Sequence, residues 1–536
     1  MKNILAVSKG YRLRILATSL LGIASVMVSL GFIWSSKWVV DIATGDADGD
    51  FLHAALLTAG LLLLQLLLHP FNHWLSVRLQ SSLSNKLRSS IFENLMQSAW
   101  NQTEKYPTGD LMTRIMQDNG EVVRLLVSTI PRIAMTTVEL ISAFFFLFWL
   151  NKWLAVTLVL ITPLFLLLSK AYYKKMRFFS RQIKKSESRI HTLMQESFTH
   201  RTVLKTLEYV PNQVERLDAL QYRFYRQICR RGNISVFSQS LIWGGFATGG
   251  LIAFLWGAIQ IRNGVITFGT MTAFLQLANK IQSPALDLLR MVPALISTLT
   301  ASERLAELNS LLKEETGDAV RMDGEITVNL ENVAFGYQTD KKVLTNVNMV
   351  FRPASMTAIV GETGAGKTTV LRLLLGLIYP EKGKVTLTNG KERVAVSPRT
   401  RNHFVYVPQG NTLFGTTIRK NLLMGNPKAS QEQLHDALHT AAADFVMNLP
   451  DGLDTRLGER GMGLSEGQAQ RIAIARALLR PGKVIVMDEP TSALDTATEE
   501  LFLERLKTKM ANRTVIFITH HPALANSCDY VYRIGN

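Results

Sequence analysis

Hydrophobic and polar residues are distributed unevenly along the chain. Four stretches in the first 310 residues contain no Asp, Glu, Lys or Arg, and each is long enough, or nearly so, to cross the apolar core of a bilayer. They are residues 15–36, 51–77, 153–169 and 232–261. Two more apolar stretches carry isolated charges: 127–150, with Arg132 and Glu139, and 270–295, with Lys280, Asp287 and Arg290. The series predicts six membrane-spanning helices, because a buried helix of a soluble core explains any one stretch but not six in succession.

The positions of Lys and Arg predict the orientation of these spans. The N-terminus carries Lys2, Lys9, Arg12 and Arg14, whereas the connection 41–51 has four aspartates and no basic residue. Residues 170–231 hold fifteen Lys or Arg against five Asp or Glu. Cytoplasmic loops of membrane proteins are rich in basic residues, so the N-terminus and 170–231 are predicted to be cytoplasmic. This enrichment accounts for most of the net charge of +17, and a nucleic-acid partner, the alternative explanation, is not expected.

The second half of the chain has a different pattern. After the charged stretch 313–325 apolar content falls, and the alternation in ITVNLENVAF predicts a strand. The sequence GETGAGKT follows at 361–368 and is a phosphate-binding pattern: glycines let backbone N–H groups surround phosphate oxygens, Lys367 adds a positive charge, and the Thr368 hydroxyl can bind magnesium. The nucleotide-binding residues predicted here are Gly361, Glu362, Thr363, Gly364, Ala365, Gly366, Lys367, Thr368 and Thr369.

Two apolar runs further along end in residues suited to phosphate chemistry. VIVM is followed by Asp488 and Glu489, as when a buried parallel strand presents carboxylates at its carboxyl end. Asp488 is predicted to hold magnesium and Glu489 to polarise the attacking water. TVIFIT precedes His520, a predicted γ-phosphate contact, and Gln409 follows another strand from which it can reach both metal and water. Together with Lys367 these groups supply the positioning and charge stabilisation that phosphoryl transfer requires.

The segment LSEGQ at 464–468 precedes a helical pattern, so Ser465 and Gly467 lie at a helix N-terminus that attracts anions. Here the chain resembles the ATP-binding cassette (ABC) family, whose pattern is LSGGQ about twenty residues before the acidic strand end; Ser465 precedes Asp488 by 23 residues, and Glu466 replaces the usual glycine. A carboxylate at a helix N-terminus is favourable, so the replacement is expected to be tolerated. The resemblance implies nucleotide contacts by Tyr337, Ser465, Gly467, Gln468 and Asp495, with Tyr337 stacking on adenine. Residues 455–461 are similar to the X-loop of exporters of this family.

The resemblance to a half-size ABC exporter covers essentially the whole chain. It implies an all-α membrane domain of six helices with long intracellular extensions, followed by an α/β P-loop NTPase domain with an antiparallel β subdomain and a helical signature subdomain. The expected limits are 1–310, a linker 311–323, and 324–536. Residues 106–122 and 194–209 are similar to intracellular coupling segments of exporters. The family binds ATP and Mg²⁺ between two cassettes, and one cassette is present here, so a second chain is implied: a homodimer is simplest, and a heterodimer is the alternative.

The expected function is ATP-driven export or flipping of an unidentified substrate by a dimeric, multi-pass protein of the cell (inner) membrane, with the cassette in the cytoplasm. The resemblance implies alternating access coupled to ATP binding and hydrolysis. A non-transporting regulator or gate on the same scaffold is the alternative. Lys280 and Glu139 fall about 15 Å deep at 1.5 Å per helical residue, near the middle of a core about 30 Å thick. Because a lone charge there costs at least about 2.5 kcal/mol, both are expected to line a translocation cavity, or else to form a structural ion pair between two spans.

Overall fold

The computed structural model describes residues 10–338, 341–362, 364–458, 463–509 and 512–535, leaving aside the side chains of 161–177, 238, 242, 289, 290, 292–294 and 296. The described chain forms two compact units. One contains the residues up to Phe92 together with Thr108–Asn309, and the other contains Glu93–Pro107 together with the residues from Ser310 onward. We call them the membrane unit and the cassette unit. The domain limits given above stay a prediction.

The membrane unit is entirely helical in its described residues. Its long helices are α1 Arg12–Thr44, α2 Phe51–Gln97, α4 Thr108–Leu150, α5 Lys152–Thr199, α7 Val210–Arg262 and α8 Phe268–Asn309, and its short helix is α6 Arg201–Thr206. Four of the long helices, α1, α2, α4 and α7, are long and apolar enough to cross a membrane. The predicted spans four and six fall in α5 and α8. Most of the predicted span in α5 has no described side chains, and α8 carries Lys280 and Asp287.

A core joins the helices of the membrane unit near the α4–α5 turn. Phe274, Leu277 and Ile281 of α8 are almost completely buried, and they cluster with Leu147 of α4 and Leu154 of α5. At 3.6 residues per turn, positions 274, 277 and 281 share one face of α8. The same helix therefore turns an apolar face to this core, while Lys280 and Asp287 lie on another face.

Asp41 fixes the end of α1 to the start of α8. It accepts a bond of 2.6 Å from Lys37 and one of 3.1 Å from the backbone N–H of Gly269, and its side chain is only 4% exposed. A Cβ at Gly269 would approach Asp41 Oδ1 to 2.3 Å, so only glycine fits. The prediction placed Asp41 in an external loop; instead α1 continues to Thr44, because Asp41 is neutralised inside the protein rather than solvated.

At the other end of the membrane unit, α4 is joined to α8 through ion pairs. Arg114 donates to Asp110 at 2.8 Å and to Glu307 at 2.6 Å, and Arg304 contacts Asp110 at 2.5 Å and Asp118 at 3.3 Å. Arg114 is 8% exposed, and its guanidinium also donates to the Arg304 carbonyl at 3.0 Å. Because these charges neutralise one another at close range, the two helices can approach with little uncompensated charge.

The cassette unit contains two sheets. An antiparallel sheet has the order β2-β1-β4-β5, built from β1 Thr327–Gln338, β2 Lys341–Phe351, β4 Lys382–Thr388 and β5 Arg393–Ala395. A parallel sheet has the order β6-β7-β8-β3-β9, built from β3 Met356–Val360, β6 Phe404–Val407, β7 Val484–Asp488, β8 Thr514–Thr519 and β9 Tyr530–Arg533. Every residue of β7 and β8 is buried, as expected for central parallel strands. The α/β domain with an antiparallel subdomain is thus confirmed.

Helices of the cassette unit cover the parallel sheet and form the signature subdomain. They are α3 Trp100–Thr103, α9 Lys367–Leu374, α10 Ile418–Leu423, α11 Gln431–Thr440, α12 Glu466–Leu478, α13 Thr496–Lys509 and α14 Pro522–Asn526. Leu438 of α11, Ile472 of α12 and Phe502 of α13 share a core with Met487 of β7 and Phe517 of β8. Packing of α12 on the strands therefore ties the signature helix to the strand that carries the predicted catalytic carboxylates.

The segment Glu93–Pro107 packs within the cassette unit rather than with the helices that flank it in sequence. The Ala99 N–H donates to the Leu312 carbonyl at 2.8 Å, and the Glu314 N–H donates to the Gln97 carbonyl at 2.9 Å. The predicted coupling segment began at Tyr106. The residues grouped with the cassette unit, Glu93–Pro107, lie mostly before Tyr106, because α4 begins at Thr108.

Candidate nucleotide-binding site

The phosphate loop connects β3 to α9. Lys367, the first residue of α9, donates its ammonium to the carbonyls of Gly361 at 2.5 Å and Glu362 at 2.9 Å. Gly364 and Gly366 have φ of +89° and +98°, which residues with a Cβ rarely adopt. A Cβ at Gly366 would also lie 2.7 Å from Leu344. The loop therefore depends on its glycines. Thr363 lies outside the described residues.

A cavity of about 800 Å³ lies over this loop. The glycines, Lys367, Thr368 and Thr369 line it, together with Tyr337, Gln409, Asp488, Glu489 and His520 from other elements. The sheet order explains why: β6, β7 and β8 are neighbours, so the residues that follow their carboxyl ends meet at one edge. The volume is in the range of small-molecule and cofactor sites, about 300–1,000 Å³.

Asp488 is the last residue of β7 and is 9% exposed. Burial, and then the neighbouring Glu489 carboxylate, raise the pKa of Asp488 to about 6, against an opposing effect of the Lys367 ammonium. A carboxylate held out of water in this way gains from a cation beside it. The Thr368 hydroxyl at the same cavity provides a second oxygen. Among the described residues, no group of three or more His, Cys, Asp or Glu is placed to hold a metal ion.

Glu489 contacts two of the other three predicted catalytic side chains, Gln409 and His520. Its Oε2 accepts a bond from Gln409 Nε2 at 2.7 Å, and its Oε1 lies 2.9 Å from His520 Nδ1. Glu489 has φ of +49°, a strained value for a residue with a Cβ, and its backbone is held by Ile518 and by Gln470. The Gln470 side chain is completely buried and donates to the Glu489 carbonyl at 2.8 Å. Sequence reasoning missed Gln470, although a glutamine within the apolar run of α12 is a signal.

The signature residues form a separate group. Ser465 precedes α12 and accepts the Gln468 N–H at 3.2 Å, and Gln468 Oε1 accepts the Ser465 N–H at 3.0 Å, which is a capping box. A Cβ at Gly467 would lie 2.4 Å from the Ala493 carbonyl. Asp495 caps α13 through Thr498, whose backbone and side-chain bonds lower the pKa of Asp495. None of these four predicted residues lines the cavity over the phosphate loop.

The comparisons with known proteins cover both halves of the chain. Residues 344–492 match the ABC transporter family, and residues 15–285, about half of the chain, match the ABC transporter transmembrane region. The chain belongs to the ABC transporter family. It is therefore a multi-pass membrane protein with an ATP-binding domain, and an ATPase coupled to transport across the membrane. Of the predicted X-loop 455–461, residues 459–461 lie outside the described part.

Several relatives of this ABC transporter are half-size proteins. It is 28% identical to an export ATP-binding/permease protein of Rickettsia prowazekii, over 83% of this chain and 78% of that protein. It is 29% identical to an ATP-dependent lipid A-core flippase of Desulfotalea psychrophila, again over 83% and 78%. The structure of a bacterial Atm1-family ABC exporter with ATP bound matches with a TM-score of 0.79 and 24% identity, covering 98% of this chain and 95% of that one. That last likeness establishes the fold.

An arginine that sequence reasoning missed connects the predicted adenine contact of this transporter to the segment Glu93–Pro107. Arg372 of α9 donates to the Tyr337 hydroxyl at 2.7 Å and to Glu104 at 3.0 Å, and its guanidinium lies 4.2 Å from the centre of the Trp100 ring. Nothing in the local sequence marks it, because Glu104 is 268 residues away. The Arg372 guanidinium thus contacts both Tyr337 and Trp100.

We expect Arg372→Ala to raise the KM for ATP about 2- to 30-fold, since a cation–π contact contributes about 0.5 to 2 kcal/mol and 1.4 kcal/mol corresponds to tenfold. Tyr337 would lose the bond that orients it in the cavity. The measurement is ATPase activity of the purified protein against ATP concentration. Arg352→Ala is the matched control, because Arg352 makes the same kind of contact with Tyr530, at 2.8 Å to the hydroxyl, away from the cavity. An unchanged KM in Arg372→Ala would contradict the positioning role.

Proposed function

We propose that this protein is an exporter or flippase that binds Mg²⁺ and ATP at the cavity over the phosphate loop and hydrolyses ATP there to move a substrate across the cell (inner) membrane. The observation that carries the proposal is the position of Glu489. Its carboxylate lies between Gln409 and His520, directly after Asp488 and at the same cavity as Lys367. Phosphoryl transfer uses a carboxylate that positions water, a carboxylate that binds the metal ion and a cation that contacts the phosphates.

Each side chain has a separate part in this proposal. Lys367 and the loop N–H groups hold the β- and γ-phosphates, and Tyr337 stacks on the adenine. Asp488, Thr368 and Gln409 hold the magnesium ion, whose chemical contribution is to neutralise charge on the phosphate oxygens. Glu489 orients and polarises the attacking water, and His520 contacts the γ-phosphate. Gln470 supports Glu489 by fixing its backbone carbonyl.

The proposal includes a dimer. Within one chain, the cavity of the phosphate loop contains none of Ser465, Gly467, Gln468 and Asp495. These residues lie at the exposed start of α12 and before α13, with the N–H groups of α12 directed at its N-terminus. A second chain in antiparallel arrangement would bring its signature to this cavity and complete the site. Two identical chains would then form two equivalent sites, and we propose a homodimer.

Glu489→Gln tests the hydrolytic role. The amide keeps the shape of the side chain but cannot polarise water as a base, so we expect hydrolysis to fall about 10²- to 10⁴-fold while ATP binding persists. Turnover is measured as phosphate release, and binding is measured with a fluorescent ATP analogue. Glu500→Gln, an exposed carboxylate of α13, is the matched control and should keep full activity. Near-normal turnover in Glu489→Gln would refute the role assigned to this residue.

Single cysteines test the proposed orientation, in a background with Cys229→Ser and Cys528→Ser. Asp48 follows α1 and is exposed, and Ser188 in α5 is also exposed. We expect Asp48→Cys to react with a membrane-impermeant maleimide in intact cells, because the proposed orientation places the connection 45–50 between α1 and α2 outside. Ser188→Cys should react only after the membrane is permeabilised. The reverse labelling pattern would overturn the orientation and place the cassette on the wrong side for cellular ATP.

A further inference from the structure

The membrane unit contains a polar cavity that the nucleotide chemistry does not explain. It has a volume of about 560 Å³ and shares lining residues with a neighbouring space of about 520 Å³. We call the two spaces together the polar cavity. The shared residues are Ser29 of α1, Gln65 of α2, Glu139 of α4, and Lys280 and Asp287 of α8. Polar side chains are expensive inside a bilayer, so a cavity lined by residues of this kind calls for a functional explanation.

Two ion pairs cross this cavity between α4 and α8. Lys280 donates to Glu139 at 2.7 Å, and Arg132 lies 3.4 Å from Asp287. Sequence reasoning left two possibilities for Lys280 and Glu139, a cavity or a structural pair; the structure combines them. Their side chains keep 32% and 23% of their exposure, so the pair lies in the cavity wall and can be reached from it. Among the described lining residues, the two cations balance the two carboxylates.

The α2 helix adds a polar stripe without Asp, Glu, Lys or Arg to the same cavity. Gln65, His69, Asn72, His73 and Ser76 all line it, at spacings of three and four residues that place them on one face of the helix. The rest of this stretch is strongly apolar, including exposed Leu63, Leu66 and Leu67. Asn72 Oδ1 is buried without a hydrogen-bond partner among the described residues. The stripe therefore offers donors and acceptors opposite the ion pairs.

Charge balance restricts what can bind at the Lys280–Glu139 pair. An anionic group that takes Lys280 leaves Glu139 without its partner, and a cationic group that takes Glu139 leaves Lys280 without its partner. Removing one member of a pair that is largely shielded from water is costly because the remaining charge is uncompensated. A group that carries both charges can replace both partners at once, so neither Lys280 nor Glu139 is stranded.

We propose that this cavity binds a zwitterionic group, with its anionic oxygens on Lys280 and its ammonium on Glu139, while the α2 stripe contacts the uncharged polar atoms. The proposal rests on the proposed function, since it names the class of substrate that the exporter moves. A phospholipid headgroup with an amine and a short peptide share this chemistry. The two sources differ in whether an acyl chain accompanies the charged group.

The test uses the purified wild-type protein in a non-ionic maltoside detergent, with stimulation of ATP hydrolysis as the readout. The acylated probes have one oleoyl chain each: lysophosphatidylethanolamine is zwitterionic, lysophosphatidylglycerol is anionic and monooleoylglycerol is neutral. Trialanine is the zwitterionic probe without an acyl chain. We expect one or both zwitterionic probes to stimulate hydrolysis at lower concentration than the anionic and neutral probes. Stimulation by trialanine identifies a peptide-like source, and stimulation by the lysolipid alone identifies a headgroup.

Variants of the pair separate binding from folding. In Lys280→Gln and Glu139→Gln the half-saturating concentration of the stimulating probe should rise at least about tenfold, since a charge-assisted contact is worth roughly 1.5 to 3 kcal/mol. Lys152→Gln, an exposed lysine before the α5 span, is the control and should change nothing. If a single variant does not fold, the double variant Glu139→Gln with Lys280→Gln strands no charge and is measured instead. It should lose the preference for zwitterionic over neutral probes.

Three outcomes would overturn the proposal while leaving the ATPase assignment intact. The first is a preference for the neutral or the anionic probe. The second is normal basal hydrolysis that responds equally to every probe or to no zwitterionic one. The third is a double variant that folds and keeps the zwitterionic preference. Absence of any hydrolysis in the wild-type protein would instead refute the proposed function itself.

Discussion

The cost of removing charge from water decides where this chain places its ionisable side chains. In the membrane unit, Lys280 and Glu139 lie 2.7 Å apart, and Asp41 is closed in by Lys37 and the Gly269 N–H. In the cassette unit the cost of burying Asp488 is not fully compensated, and burial raises its pKa to about 6. A carboxylate in that condition is stabilised by a cation beside it, which is the physical reason for proposing a metal ion at Asp488.

Most of the candidate nucleotide site could be predicted because its parts are local sequence features on the edge of one sheet. The glycines of the phosphate loop, the two carboxylates at the end of β7 and His520 after β8 each follow from a short pattern, and the parallel order of the strands brings them together. The pattern could not predict contacts from residues that are distant in sequence. Gln470 fixes the Glu489 carbonyl from α12, and Arg372 contacts Glu104 across 268 residues. Such contacts depend on tertiary packing, which no local spacing encodes.

The membrane unit shows the same division. Apolar length predicted where the long helices lie, and the depth of Lys280 and Glu139 indicated a cavity or a pair. Depth alone could not choose between them, because the choice depends on the facing helix. The end of α1 was misplaced for a similar reason: Asp41 resembles a loop residue in sequence, but a partner on the same helix and an N–H from α8 neutralise it. Where a group that is distant in sequence compensates a buried charge, hydropathy underestimates the length of the helix.

We propose that ATP bound at the cassette unit changes the access of water to the polar cavity of the membrane unit. Ser283 lines this cavity and is exposed. A cysteine at this position, in a protein with Glu489→Gln, Cys229→Ser and Cys528→Ser, can be modified by a small water-soluble thiol reagent with and without ATP and Mg²⁺. We expect the cysteine to be modified at different rates with and without ATP and Mg²⁺, after each rate is corrected for the rate measured in unfolded protein. Equal rates with ATP demonstrably bound would contradict it.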